Sequence, residues 1–158
     1  MSDEQPVRYT AIEDLLAERT FDMAVTTYVY EATLDTQYVF PPDGVSDGEV
    51  KIEMSSRQEG ALFGMRLDIG FERDYGMANV GIGVNYKFDQ PIELTDQVTV
   101  DLVNKVALMA LYPYAREAFS SLTARVFGEP IMLSVIKQNE YTLQISKGDG
   151  TEEGTSVE

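Results

Sequence analysis

The chain has 158 residues, 44% of them apolar, which is enough for one domain with a core of its own. Twelve Lys and Arg stand against 27 Asp and Glu, leaving a net charge of −15, a field that repels phosphate backbones and anionic lipid headgroups and makes nucleic acid and membrane surfaces poor partners. Cysteine and histidine are both absent, which excludes disulfides, thiolate nucleophiles and imidazole metal ligands, so neither a metal nor a cofactor is expected.

The opening "MSDEQPVRYT" has no basic start followed by an apolar run, and no stretch reaches the roughly 18 apolar residues that span a bilayer. The cytoplasm is therefore the expected location. In "TAIEDLLAER" Thr10 and Glu13 have capping-box spacing and Ile12, Leu15 and Leu16 form an apolar stripe, which predicts a short helix over 11–19. The β-branched and aromatic residues of "FDMAVTTYVYEATL" predict a long first strand, with Met23, Val25 and Val29 on one face and Tyr28, Tyr30 and Leu34 on the other.

A proline pair and two glycines make 36–49 a surface loop, whose tip carries Tyr38, Val39 and Phe40. "VKIEMS" alternates as a second strand. In 61–74 Phe63, Met65, Leu67, Ile69 and Phe71 oppose Arg66, Asp68, Gly70 and Glu72 with a period of two. The next strand repeats the pattern, with Val80, Ile82, Val84, Tyr86 and Phe88 inward and Gly81 and Gly83 outward. One oily and one wet face predict an antiparallel sheet whose apolar side is covered.

The cover is the only long helical stretch, Asp96 to Phe127, entered through "ELTD" and ended by Gly128 and Pro130. Pro113 has no N–H for the Met109 carbonyl and disfavours helical geometry at Tyr112, so the helix is expected to kink or divide there. "VALMAL" at 106–111 is apolar all round and asks for a second subunit beyond the sheet. "IMLSVIKQNEYTLQI" reads as two short strands or as a strand and a frayed helix. The expected domain is 1–147, with 148–158 a disordered acidic tail.

The residues Pro113, Tyr114, Ala115, Arg116 and Glu117, followed by Ala124, Arg125 and Phe127 and then Pro130 and Leu133, resemble the signature of the SecB family of protein-export chaperones. Element order agrees over about 20–136. The resemblance implies an α+β protomer, a four-stranded antiparallel sheet with a long kinked helix packed on one face, assembled as a homotetramer from two dimers. It implies ATP-independent binding of unfolded polypeptides, in protein export with SecA as a partner or in protection of an antitoxin, a branch that the tyrosine of "ALYPY" resembles equally. Two features depart from the family pattern: no final helix is evident after Ile136, and the sequence before Phe21 reads as helix rather than strand.

On that resemblance the client groove comprises Tyr38, Val39, Phe40, Met54, Phe63, Met65, Ile131 and Leu133, the acidic docking face Glu53, Asp68 and Glu72, and the oligomer interface Val106, Leu108, Met109, Leu111, Tyr112, Tyr114, Arg116 and Glu117. A plainer reading makes the loop aromatics and the methionines core, and the carboxylates a solvated face. Gly81 and Gly83 then either permit strand bending or leave bare backbone for a partner. Arg116 and Glu117 point in different directions on a helix and form no acid–base pair, so interhelical or intersubunit ion pairing is expected of them. No catalytic residue is assigned and no enzyme is expected. A small-ligand-binding domain, with the sheet gripping the helix around an apolar cavity, stays open as the alternative.

Overall fold

The computed structural model describes residues 5–17, 21–35 and 50–134. The first two elements are short: β1 (Val7–Tyr9) and α1 (Ile12–Ala17), of which Tyr9, Ile12 and Leu15 are buried. Leu16, expected in the apolar stripe of this helix, is 44% exposed. β2 (Phe21–Leu34), β3 (Val50–Glu59), β4 (Leu62–Arg73) and β5 (Gly76–Phe88) form a four-stranded antiparallel sheet in the order β2-β5-β4-β3. β6 (Ile92–Leu94) pairs in parallel with β1 as a second, two-stranded sheet that the sequence pattern did not announce.

Alternation in β4 and β5 sets the two faces of the large sheet. Ile69 lies opposite Val80, Leu67 opposite Ile82 and Met65 opposite Val84, all buried on the covered face, while Arg66, Asp68 and Glu72 alternate onto the open one. β2 departs from simple alternation. Its register to β5 shifts between Thr27 and Val29, a bulge that leaves Tyr28 as the extra residue. Beyond it Tyr30 stands opposite Val80 and Ala32 opposite Ala78, so Tyr30 and Leu34 share the covered face with Met23 and Val25, and Val29 moves to the open face. The face assignment expected for this strand is corrected accordingly.

The covering layer is one helical run in three parts: α2 (Asp96–Asp101), a wider turn at Leu102–Ala107, and α3 (Leu108–Phe127). Thr95 caps its start, its Oγ1 accepting from the Val98 N–H at 3.4 Å, and Gly128 ends it in the left-handed conformation at φ 81°. The helix does not divide at Pro113, which lies inside α3; the departure from α geometry comes upstream, where the Leu108 N–H donates to the Val103 carbonyl five residues back. That turn keeps the buried stripe in phase. Buried positions step by four from Val98 to Leu102, by five across the turn to Ala107, and by four again through Leu111, Ala115 and Phe119. Asn104, buried in this turn, donates its side-chain amide to the Val100 carbonyl at 3.0 Å, which serves backbone loosened by the wide turn.

α3 packs across β5, β2 and β4. Phe63, Leu67, Val84, Leu111, Ala115 and Phe119 are each 0% exposed, so the space between helix and sheet is filled by side chains.

Candidate functional site

Two surfaces built on this frame have the properties of binding sites. The first is the margin formed by β2, which among the described residues pairs only with β5 and is an edge of the sheet. On its covered face Met23 is 50% and Tyr30 43% exposed, with Val25 half-buried between them. An edge strand carrying uncovered apolar side chains offers both backbone hydrogen-bonding groups and sticky surface. The bulge at Tyr28 is what brings Tyr30 to the same side as Met23.

The second is the flank of α3. Tyr112, Arg116, Ser120 and Thr123 recur at steps of four, four and three, which puts them on one stripe of the helix. This stripe grips the chain as it returns after Gly128. The Ile131 N–H donates to Thr123 Oγ1 at 2.8 Å, Ser120 Oγ donates to Met132 Sδ at 3.1 Å, Arg116 Nε donates to the Leu133 carbonyl at 3.0 Å, and the Tyr112 hydroxyl donates to the Ser134 carbonyl at 2.7 Å. Three of these four bonds go to backbone, so the helix holds an extended segment running antiparallel to it with little regard to its side chains. Leu133 is buried by the arrangement and Met132 is 66% exposed.

The residues singled out from sequence fall into three groups. Tyr38, Val39 and Phe40 lie outside the described residues. Met54, Phe63 and Met65 are 2%, 0% and 2% exposed, and Leu133 is 7% exposed, so in the single chain they belong to the core and only half-buried Ile131 offers surface. Of the proposed interface, Leu108, Leu111 and Tyr112 are buried by the chain's own packing, because the wide turn holds that side of the helix on the sheet. Val106, Met109 and Arg116 are half-buried, and Tyr114 and Glu117 are exposed. Arg116, expected in an ion pair, serves the Leu133 carbonyl instead.

Glu53 and Asp68 stand opposite one another on the open face, and Glu72 is exposed on the same face. Asp68 accepts from Arg66 through both carboxylate oxygens, at 3.0 and 2.9 Å from Nε and 2.8 Å from Nη2. By the strand parity, Lys51, Arg57 and Lys87 lie on that face too, so its charge is mixed rather than uniformly acidic. The Arg66 guanidinium also sits 5.4 Å from the centre of the Tyr28 ring. Gly81 and Gly83 are buried, not bare: a Cβ on Gly83 would come within 2.5 Å of Tyr28 Cε2, and one on Gly81 within 2.7 Å of Asp68 Oδ1. The glycines make room for large side chains to lie flat. An open concavity of about 470 Å³ beside them is lined by Tyr28, Arg57, Leu62, Gly64, Arg66 and Asn85.

Sequence reasoning missed the exposed pair Met23 and Tyr30 and, on the gripping stripe, Ser120 and Thr123, while Tyr112, expected in the oligomer interface, holds the returning chain instead. The stripe was visible as polar positions at helical spacing beside the apolar face; the pair was hidden by the bulge. Among the described residues no group of acidic side chains converges as a metal site, and no helix is long and apolar enough to cross a membrane. Burial pushes the Tyr86 phenol above its ordinary pKa.

No family model matches the chain, and no curated protein does. Among solved structures the chain is similar to the Mycobacterium tuberculosis Rv1957 SecB-like chaperone in complex with a ChAD peptide from the Rv1956 HigA1 antitoxin, with 18% sequence identity and a TM-score of 0.61 over 80% of this chain and 96% of that one. At this identity the likeness is one of fold: the sheet of four antiparallel strands with a long helix across it is a SecB-like architecture.

Proposed function

We propose that the protein is a non-enzymatic holdase, which binds non-native polypeptide without nucleotide, working in the cytoplasm as a homotetramer of two dimers. The observation that carries this reading is the fold shared with a SecB-like chaperone that holds an antitoxin peptide. The uncovered apolar margin of β2 supports it, since Met23, Val25 and Tyr30 are positioned to join copies edge to edge or to line a channel between them. Val106, Met109 and Tyr114 on the helix extend the interface, and Tyr38, Val39, Phe40 and Ile131 border the client groove. The client is the apolar stretch of an unfolded chain, with an antitoxin favoured over an export substrate. Interleaved cations on the open face weaken the case for an acidic SecA dock. The filled space between helix and sheet counts against a small-ligand cavity.

Binding by apolar burial at roughly 25 cal/mol per Å² needs only a few side chains per groove, and several grooves per assembly add effective concentration. The test is aggregation of a chemically unfolded client followed by light scattering without nucleotide. Stoichiometric protein is expected to suppress it; undiminished aggregation rejects the holdase.

A further inference from the structure

The chain's first described residues are held as a bound peptide would be. In β1, Val7 lies opposite Ile92, Arg8 opposite Glu93 and Tyr9 opposite Leu94. The Val7 N–H donates to the Pro91 carbonyl at 2.9 Å, and the Thr95 N–H to the Tyr9 carbonyl at 3.4 Å. β6 has its own support on the other side, where the Ile92 N–H donates to the Gly60 carbonyl at 3.1 Å and the Gln58 side-chain amide donates to the Ile92 carbonyl. It then runs directly into the Thr95 cap of the helix. β6 is therefore tied to the hairpin between β3 and β4 and to the start of α2, independently of β1.

Beyond the strand, α1 adds Ile12 and Leu15 to Tyr9 in the core, at 6%, 1% and 6% exposure respectively, while Arg8, Glu13 and Asp14 stay exposed. Every buried side chain of residues 5–17 is apolar or aromatic. Recognition thus rests on backbone pairing along three residues and on apolar side chains that follow it, a combination that tolerates many sequences. The one charged position in the strand, Arg8, stands opposite Glu93, which favours a basic residue between the two apolar ones.

We propose that the edge of β6, with the socket that receives Tyr9, Ile12 and Leu15, is a peptide-binding site occupied in cis by residues 5–17. Its ligand is a segment of another, non-native polypeptide with an extended apolar, basic, aromatic run followed by a turn of amphipathic helix, which displaces the cis occupant. The short parallel ladder and six-residue helix make the occupant replaceable: a peptide in trans meets the same backbone groups. The identity of this ligand rests on the holdase reading; the existence of the site does not.

The chain has no cysteine, so Val7→Cys with Ile92→Cys places one thiol pair at positions opposite in register. A labelled synthetic peptide of residues 5–17 is the probe, and the full-length double variant is the protein. The reduced form is expected to bind the probe, and oxidation to weaken binding about tenfold or more, reversibly on adding reductant. Equal binding by the two forms overturns the site. Unfolded client held equally by both forms, with probe binding lost on oxidation, overturns the assigned ligand and leaves the holdase standing. Probe binding with no suppression of aggregation rejects the holdase and leaves the site. Should the double variant not fold, hydrogen exchange on the unsubstituted chain decides. With client at saturation the Val7 and Leu15 amides are expected to exchange about tenfold faster or more, and unchanged protection overturns displacement.

Discussion

Arg116 donates its Nε–H to the carbonyl of Leu133 at 3.0 Å, so the arginine of the helix fastens the chain that returns past it. Its partners along the same stripe do likewise, and Ile131 presents its N–H to Thr123 Oγ1, a hydroxyl that itself donates to the Phe119 carbonyl at 2.9 Å. Thr123 is fully buried, so Thr123→Val leaves the Ile131 N–H without that acceptor at nearly constant volume. The expected cost is about 1–3 kcal/mol, from an orphaned donor. Arg116→Ala is expected to cost about 1.5–3 kcal/mol through the charge-assisted bond it removes. Urea unfolding read as a lowered midpoint with constant slope checks both. In the Thr123 variant the Ile131 amide should also exchange faster, and an unaltered rate rejects the account.

The strands were legible because burial on one face imposes a period of two, and in β4 that period runs unbroken from Phe63 to Phe71. β2 was placed correctly, but its faces were not, because a bulge inserts one residue without leaving any mark in hydropathy. The helix ends were legible at Thr95 and Gly128 from capping chemistry. That the helix is not straight was legible, but where it leaves α geometry was not: proline drew attention to position 113, whereas the phase change needed to keep Leu102 and Ala107 on one face occurs earlier. The hold of Arg116 on Leu133 lay beyond pattern reading, since it joins a side chain to a backbone carbonyl in a segment with no periodicity.

The exposure of Met23 and Tyr30 gives assembly a direct test. Neither is needed by the core of the single chain, so Tyr30→Asp should leave its secondary structure unchanged. A charge placed at a contact between copies and left unpaired there costs several kcal/mol, which at about 1.4 kcal/mol per tenfold weakens association at least a hundredfold. Light scattering should show four chains for the parent and fewer for the variant. An unchanged mass removes the β2 margin from the interface.

Two glycines that both exclude a Cβ are expected to respond very differently to alanine. At Gly83 the nearest obstacle is the Tyr28 ring, 51% exposed and able to swing outward, and behind it the Met65 carbonyl oxygen at 3.2 Å needs only a small strand shift, so Gly83→Ala should cost about 1–2 kcal/mol, and the Arg66 stack on that ring should be lost. At Gly76 the obstacle is the Thr33 carbonyl oxygen, 2.0 Å from where Cβ would sit, and the φ of 157° is itself unfavourable with a side chain. Backbone held in the β2–β5 ladder cannot step aside, so Gly76→Ala should cost about 3 kcal/mol or more. Thermal unfolding of the two variants side by side checks the order, and equal shifts reject it.

Tyr86 supplies a pH dependence. Burial raises its folded pKa above the ordinary 10.0, so the folded state favours the neutral phenol. The sign follows from proton binding: below 10.0 both states are neutral and the stability is fully present, and as pH rises from there the unfolded chain ionises first and stability is lost until the folded value is passed. Tyr86→Phe should flatten that alkaline decline while leaving the curve near neutrality parallel to the parent. A decline as steep as before assigns it to other groups.

Pro113 is exposed and lies inside α3 with no N–H for the Met109 carbonyl, yet the helix runs on through it. In a regular helix interior proline costs roughly 3 kcal/mol against alanine, part of which is returned because proline also restricts the unfolded chain by about 0.4–1 kcal/mol. Pro113→Ala is therefore expected to stabilise the protein by about 2–2.6 kcal/mol. The wide turn at Leu102–Ala107 should persist, since it serves the phase of the buried stripe and is held by Asn104 on the Val100 carbonyl, neither of which involves position 113. A rise in the urea midpoint with an unchanged assembly mass is the expected result. A fall in stability, or a smaller assembly, would instead make Pro113 the residue that shapes the helix for its partners.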